Sequence, residues 1–248
     1  MCTLTIYPKP KKQGFVITFN RDETLQRSSI SIQKNEEKGL VYPTDALHGG
    51  TWLAFCPQKQ RFACLLNGAF EIHKRQLPYR KSRGLVVLES FDFQKALLFC
   101  TKYDFEGIEP FTMILGEKTT LIELRWDGVN RYIKILDDTK PHIWSSCTLY
   151  NRDIRQVRET WFSDFLKTYS GSNIQAQNLW QLHNTRNSAM PDNAFVMRRP
   201  SGVQTVSISQ LNYDFFEQSV KFTYHELEQR RTDKYQFDTK QVASSVTI

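Results

Sequence analysis

No apolar run in this 248-residue sequence approaches the roughly 20 residues a helix needs to cross a bilayer, so no membrane span is expected. The first residues lack the charged-then-apolar pattern of a secretory signal, and the expected location is the cytoplasm. Cysteine is sparse and odd in number: Cys2, Cys56, Cys64, Cys100 and Cys147, with no CxxC pair. That argues against a disulfide framework and a zinc site, and neither metal nor cofactor is expected. The five histidines form no spaced motif. There is no repeat, no low-complexity block and no motif for nucleic acid. What is present is a globular composition, 40% apolar and 24% charged. Aromatics make up 13%, which suits a well-filled interior or an apolar ligand cleft. The net charge is +7, spread over Lys9, Lys11 and Lys12, over Lys74, Arg75, Arg80, Lys81 and Arg83, and over Arg230 and Arg231. Two readings stand: a solvated basic surface, or a site attracting a carboxylate or phosphate.

The chain reads as one domain over residues 1–238, with a small, polar, frayed tail at 239–248. Cys2, Leu4 and Ile6 alternate with Thr3, Thr5 and Tyr7, which is a strand pattern. A Pro-Lys-Pro turn and a second strand from Phe15 to Phe19 complete a hairpin. Its ladder sets Cys2 across from about Asn20, at the end where Asn20-Arg21-Asp22-Glu23 begins. A second hairpin, Thr51–Cys56 with Arg61–Leu66, sets Gly49-Gly50 opposite Asn67-Gly68. Side by side in one sheet, the two hairpin ends would line one cleft. Helices are expected over Ser82–Phe91 and Phe93–Cys100, from Asn151 to Lys167 with Asn151 as N-cap, and over Ile174–His183. Further strands are expected at Phe111–Gly116, Thr120–Trp126, Arg131–Leu136, Ala194–Arg198, Val203–Ser209, Gln218–His225 and Lys234–Phe237. Hairpins, then helices, then strands suggest an α+β fold of antiparallel sheets covered by segregated helices.

Cys2 poses a choice. It is either a buried strand residue or a nucleophile whose terminal position is its purpose. Once Met1 is removed, one residue carries both a thiol of pKa ~8.5 and an α-amine of roughly 7.7–8.0 that can take its proton. Such a nucleophile needs a carboxylate at the α-ammonium, for which Asp22 is placed. It needs a cation for the thiol and an anionic substrate, for which Arg21 is placed. Asn67 offers an amide N–H to an oxyanion. Glu23, buried behind Arg21, would hold its guanidinium still; exposed, it would contribute little. Each of these residues also has a bland reading as a turn or a solvated hairpin exit.

The stretch Asn20-Arg21-Asp22-Glu23 is the signature of the NRDE family, also called the transport and Golgi organisation protein 2 family. The chain resembles that family in six further ordered places: Met1-Cys2-Thr3, Gly49-Gly50-Thr51-Trp52-Leu53, Leu66-Asn67, Ser82-Arg83-Gly84-Leu85, Thr148-Leu149-Tyr150 with Trp161-Phe162, and Val203 to Gln210. It differs in carrying Leu66-Asn67 where Thr-Asn is frequent, and Ser145-Ser146-Cys147 where Ser-Asn is common. The resemblance implies a four-layer αββα sandwich of the N-terminal nucleophile (Ntn) hydrolase type, with two antiparallel sheets between helical layers. Penicillin V acylases and bile-salt hydrolases are similar cysteine-type members of that wider group. It implies Cys2 as nucleophile, Asp22 near its amine, Arg21 in the site and Asn67 at the oxyanion, with Glu23, Gly49, Gly50 and Arg83 along the substrate cleft. The expected function is hydrolysis of a small acyl-amide, or acyl-thioester, through acyl-Cys2. The alternative is a non-catalytic carrier of haem or an acyl lipid, since animal members are linked to haem and lipid handling. A third reading is an interaction module with Cys2 in its core.

Overall fold

The computed structural model describes residues 2–27, 29–169 and 174–238. The expected tail at 239–248 lies outside them. Strands β1 (Cys2–Pro8) and β2 (Gly14–Thr24) form the first hairpin around a 3₁₀ turn at Pro10–Lys12. Cys2 pairs with Arg21, one position further than the Asn20 expected from the sequence. The second hairpin is β5 (Leu53–Cys56) with β6 (Arg61–Asn67).

These two hairpins do not share a sheet, so the side-by-side arrangement considered from the sequence does not occur. β1 and β2 belong to a six-stranded antiparallel sheet of order β10-β1-β2-β11-β12-β13, with β10 (His142–Ser145), β11 (Val203–Asp214), β12 (Ser219–Glu226) and β13 (Arg231–Asp238). β5 and β6 belong to a seven-stranded sheet of order β3-β4-β5-β6-β7-β8-β9, with β3 (Ser29–Asn35), β4 (Leu40–Asp45), β7 (Phe111–Glu117), β8 (Thr120–Trp126) and β9 (Arg131–Leu136). The sheets face each other through a core that includes Leu4, Ile6, Phe19, Phe55, Phe62 and Leu211. The hairpins therefore meet across that core, not edge to edge.

Each outer face is covered by helices. α1 (Arg83–Glu89) and α2 (Ala96–Lys102) pack Val86, Val87 and Phe99 against Met113 and Leu124 of the seven-stranded sheet. α3 (Arg152–Thr168) and α4 (Ala176–His183) pack Phe162, Leu179 and Leu182 against Val16 on the six-stranded sheet. The result is the expected α+β architecture, an αββα sandwich. Both faces of β2 are covered, and from Gly14 to Glu23 every residue is buried. Thr3 and Thr5 are buried for the same reason.

Local signals account for the long helix. Asn151 has extended backbone, and its side chain accepts from the Ile154 N–H at 2.9 Å. Three strands escaped the sequence reading. β3 is polar, β4 contains Pro43, and β10 has only four residues. In contrast, Ala194–Arg198 is not a strand. Its apolar run is buried, but its N–H groups go elsewhere, Val196 to the Thr185 carbonyl at 2.9 Å and Met197 to Thr205 Oγ1 at 3.0 Å. Burial had imitated strand alternation there.

Asn151→Ala should cost about 1 kcal/mol by removing the cap. A lower urea midpoint with unchanged m-value is the expected reading; an unchanged midpoint would mean packing alone sets the start of α3.

Candidate functional site

The open ends of the two hairpins wall a cleft of about 770 Å³. Cys2, Arg21 and Glu23 come from one sheet, Asn67 from the end of β6 in the other, Gly50 from the connection between β4 and β5, and Arg83 from the start of α1. Asp22 and Gly49 are not on the wall. Gly49 lies in the turn after β4, with φ of +65° and its N–H on the Asp45 carbonyl at 2.9 Å. Asp22 sits on the other face of β2, because successive strand residues alternate.

That alternation divides the Asn-Arg-Asp-Glu stretch in two. Asn20 and Asp22 face the helical layer; Arg21 and Glu23 face the cleft. The Asn20 amide nitrogen donates to the carbonyls of His183 at 2.9 Å and Phe195 at 2.8 Å. Its oxygen is thus left to accept from His183 Nδ1 at 2.6 Å, and His183 Nε2 accepts from the Thr5 hydroxyl at 2.7 Å. Burial lowers the His183 pKa to about 3, with Arg158 adding to the effect, so the ring is neutral. Asn20 is a scaffold residue that ties β2 to the end of α4.

Asp22 accepts from Tyr150 Oη at 3.0 Å and Thr205 Oγ1 at 2.7 Å. Burial raises its pKa, while Thr205, Arg158 and Tyr150 oppose the rise. On the β1–β2 ladder Asp22 stands one step beyond the Cys2–Arg21 pair. Beneath it lies Arg158, fully buried on α3. The Arg158 guanidinium donates to Thr3 Oγ1, to Ser145 Oγ at 3.0 Å and to the Ala194 carbonyl at 2.8 Å, and stacks on Tyr150 at 4.3 Å. Sequence reasoning missed Arg158, which sits in an ordinary amphipathic helix pattern.

On the cleft side, Arg21 is fixed on three sides. Nη2 donates to Asp45 at 2.7 Å, Nη1 to the Arg27 carbonyl at 2.6 Å, and the guanidinium lies 4.3 Å from the Trp52 ring centroid. The acid holding Arg21 is therefore Asp45, not Glu23. Glu23 is buried as supposed, but it binds Arg27 at 2.7 Å and the Thr24 N–H at 3.0 Å. Asp45 also takes Arg27 at 2.6 Å. Burial works against its ionisation, but Arg27 and Arg21 together hold its pKa below the usual carboxylate value. Asp45 lies at the end of β4, a strand the sequence did not disclose.

The Cys2 side chain is buried among the inter-sheet residues. Burial pushes its thiol pKa up, Asp22 adds to this and Arg21 opposes it. The thiol is thus the resting form and needs a base. Asn67 lines the cleft with its side-chain amide unpartnered among the described residues. Its backbone carbonyl accepts from Ser146 Oγ at 2.7 Å, and the Ser146 N–H donates to the Cys2 carbonyl at 2.9 Å. Ser146 therefore fastens the backbone of Cys2 to that of Asn67 across the two sheets. The Ser-Ser-Cys stretch was the sequence's only hint of it.

The glycines serve close packing. A Cβ on Gly50 would lie 2.7 Å from the Gly84 carbonyl carbon, and one on Gly84 would lie 2.9 Å from the Thr51 nitrogen. The Thr51 N–H donates to the Gly84 carbonyl at 3.1 Å. This contact seats the start of α1 on the strand entry and so places Arg83. Arg83 is further held by Glu109 at 3.1 Å and the Pro110 carbonyl at 3.0 Å. In all, six cationic side chains on the wall face three carboxylates (Glu23, Asp45 and Glu109), which makes the cleft net positive.

The arrangement defines a layered α+β sandwich with a first-strand cysteine opening into a cationic cleft between its sheets. The chain belongs to the Transport and Golgi organisation 2 family, whose model matches residues 1–239. Comparison with individually curated proteins gives no match. No helix among the described residues is long and apolar enough to cross a membrane.

Two outcomes follow from this geometry. Gly84→Ala should cost about 1–3 kcal/mol through overpacking against Thr51 and Gly50, read as a lower thermal midpoint; an unchanged midpoint would show that the contact yields freely. The second outcome concerns pH. The unfolded chain takes up a proton at His183 near pH ~6.5, whereas the folded chain refuses it until about pH 3. Stability from this residue is thus present above the unfolded pKa and falls as pH drops through that window, by about 1.4 kcal/mol per pH unit. His183→Gln should flatten the pH dependence of denaturation between those limits; identical slopes would refute a neutral, buried ring.

Proposed function

We propose that the chain is a cytoplasmic N-terminal-cysteine hydrolase that cleaves a linear amide, or a thioester, through an acyl-Cys2 intermediate after Met1 is removed. The single observation carrying this reading is the juxtaposition of Cys2, Arg21 and the unpartnered Asn67 amide in one cleft, with Ser146 joining Cys2 to Asn67. Burial of the thiol supports it further. A group kept protonated at rest needs a base beside it, and the freed α-amine is such a base.

In the proposed cycle the α-amine takes the thiol proton and Sγ attacks the acyl carbonyl carbon. The Asn67 N–H donates to the oxyanion. Asp22, at the next ladder position, faces the α-ammonium and stabilises its charge. As the carbon–nitrogen bond breaks, the α-ammonium proton passes to the departing amine. Water, deprotonated by the α-amine, then attacks the thioester carbon and releases the acid and the thiol. Arg21 and the surrounding cations favour an acyl substrate bearing negative charge, while Glu23, Gly50 and Arg83 shape the wall.

The test begins with the intact mass of the purified protein, expected without Met1. Activity on a panel of acyl-amides should then disappear in Cys2→Ala, persist weakly in Cys2→Ser, and fall by about 10²–10³ in Asn67→Ala. Cys2→Ala turning over like wild type would overturn the reading. One observation favours the alternative, a carrier of haem or an acyl lipid. The cleft volume of about 770 Å³ falls inside the range of small-molecule sites. A Soret shift with micromolar haem, in a protein that hydrolyses no member of the panel, would select it.

A further inference from the structure

Three segments supply wall residues to the cleft and carry their remaining residues outward around it. They are residues 25–27, 46–50 and 72–81, contributing Arg27, His48 and Gly50, and Arg75 with Leu77. Together they contain Arg27, Lys74, Arg75, Arg80 and Lys81, and not one Asp or Glu. They also hold large apolar side chains turned to solvent: Leu25 at 47% exposure, Leu47 at 69%, Ile72 at 75% and Leu77 at 71%.

The third segment is not loose. His73 Nε2 lies 3.3 Å from Glu109 and Arg75 Nε lies 3.4 Å from the same carboxylate. Tyr79 Oη accepts from the Gln76 N–H at 2.8 Å, and Arg80 Nε donates to the Glu106 carbonyl at 2.9 Å. The neighbouring acid Glu71 is engaged with Arg155 at 3.2 Å. Ile72 and Leu77 are thus held outward on a pinned loop. Exposed apolar side chains interleaved with cations on one rim match the makeup of a surface that sits in a headgroup layer.

We propose that the rim of the cleft docks on a bilayer carrying anionic lipid. Leu25, Leu47, Ile72 and Leu77 enter the headgroup boundary, and Lys74, Arg75 and Arg80 meet lipid phosphates and carboxylates, while Lys81 stays with Glu89. The mouth then opens directly onto the bilayer, and an acyl-chain substrate passes from lipid to cleft without crossing water. Charge complementarity selects this occupant: Lys74 has no carboxylate partner among the described residues, and the pairs Arg75–Glu109 and Arg80–Asp104, each at 3.4 Å with an exposed guanidinium, are weak enough to exchange their acids for lipid phosphates, whereas a neutral apolar protein face would leave Lys74 unpaired. The docking rests on the cleft being the substrate site, and it is independent of the chemistry at Cys2.

The test is vesicle flotation with full-length protein, using phosphatidylcholine vesicles with and without roughly 30% phosphatidylserine. Wild type and Cys2→Ala should bind the anionic vesicles equally, at least about tenfold better than the neutral ones, and release them at high salt. Leu47→Asp/Ile72→Asp should weaken binding by at least about tenfold at an unchanged thermal midpoint; either single variant gives the same ordering where the double variant misfolds. Lys74→Glu should weaken it by about fivefold or more. Equal binding to both vesicle types, no binding to either, or full binding by the aspartate variants would overturn the proposal. Capture by a soluble acidic peptide with no vesicle binding would overturn it as well. Loss of flotation with hydrolysis of a soluble amide intact refutes docking alone; inactive protein that still floats refutes the hydrolase alone.

Discussion

Strand β2 is buried on both faces up to Glu23, and no polar side chain along its end has water to turn to. An unpaired buried polar group costs about 1–3 kcal/mol, and more when charged. Asn20, Arg21, Asp22 and Glu23 therefore each need built partners, and much of the surrounding structure provides them. His183 and Thr5 complete Asn20; Tyr150 and Thr205, over Arg158, complete Asp22. Asp45 and Trp52 receive Arg21, while Arg27 receives Glu23. Four consecutive residues thus connect α3, α4 and both sheets. The strand period turns two of them toward the helical layer and two toward the cleft.

The cleft itself is a product of layering. Because the hairpins sit in facing sheets, their ends approach through the inter-sheet core and leave a recess instead of a continuous edge. Its walls combine rigid cations with aromatic and aliphatic surface. Asp45 stands at its electrostatic centre, paired to two arginines and held ionised by them. A charge held this way costs little to reorganise when an anionic ligand enters, which is the condition for preorganised binding.

Much of this was legible in the sequence where the signal was local. The first hairpin, the three central strands of the second sheet and α3 follow from alternation, turn residues and a capping asparagine. The two hairpins read from the sequence pointed Cys2, Arg21, Glu23, Gly50 and Asn67 toward a cleft, and the family resemblance added Arg83; all six line it. What was not legible depends on partners distant in the chain. β3 and β10 are edge strands whose pairing, not their composition, makes them strands. Asp45 and Arg158 look like ordinary surface charges until the fold buries them. Ala194–Arg198 failed the other way, because a buried irregular segment has the same apolar content as a strand.

Ser146 carries a last consequence. Its N–H engages Cys2 and its hydroxyl engages Asn67, and these two groups are joined within one residue through Cα and Cβ. The thiol-bearing strand and the amide-bearing strand are thus bridged by a single residue with a hydrogen bond at each end. Drawing the two strand ends apart means breaking one of those bonds or turning the serine side chain, so the width of the cleft at Cys2 answers to one small hydroxyl on a loop that neither hairpin contains.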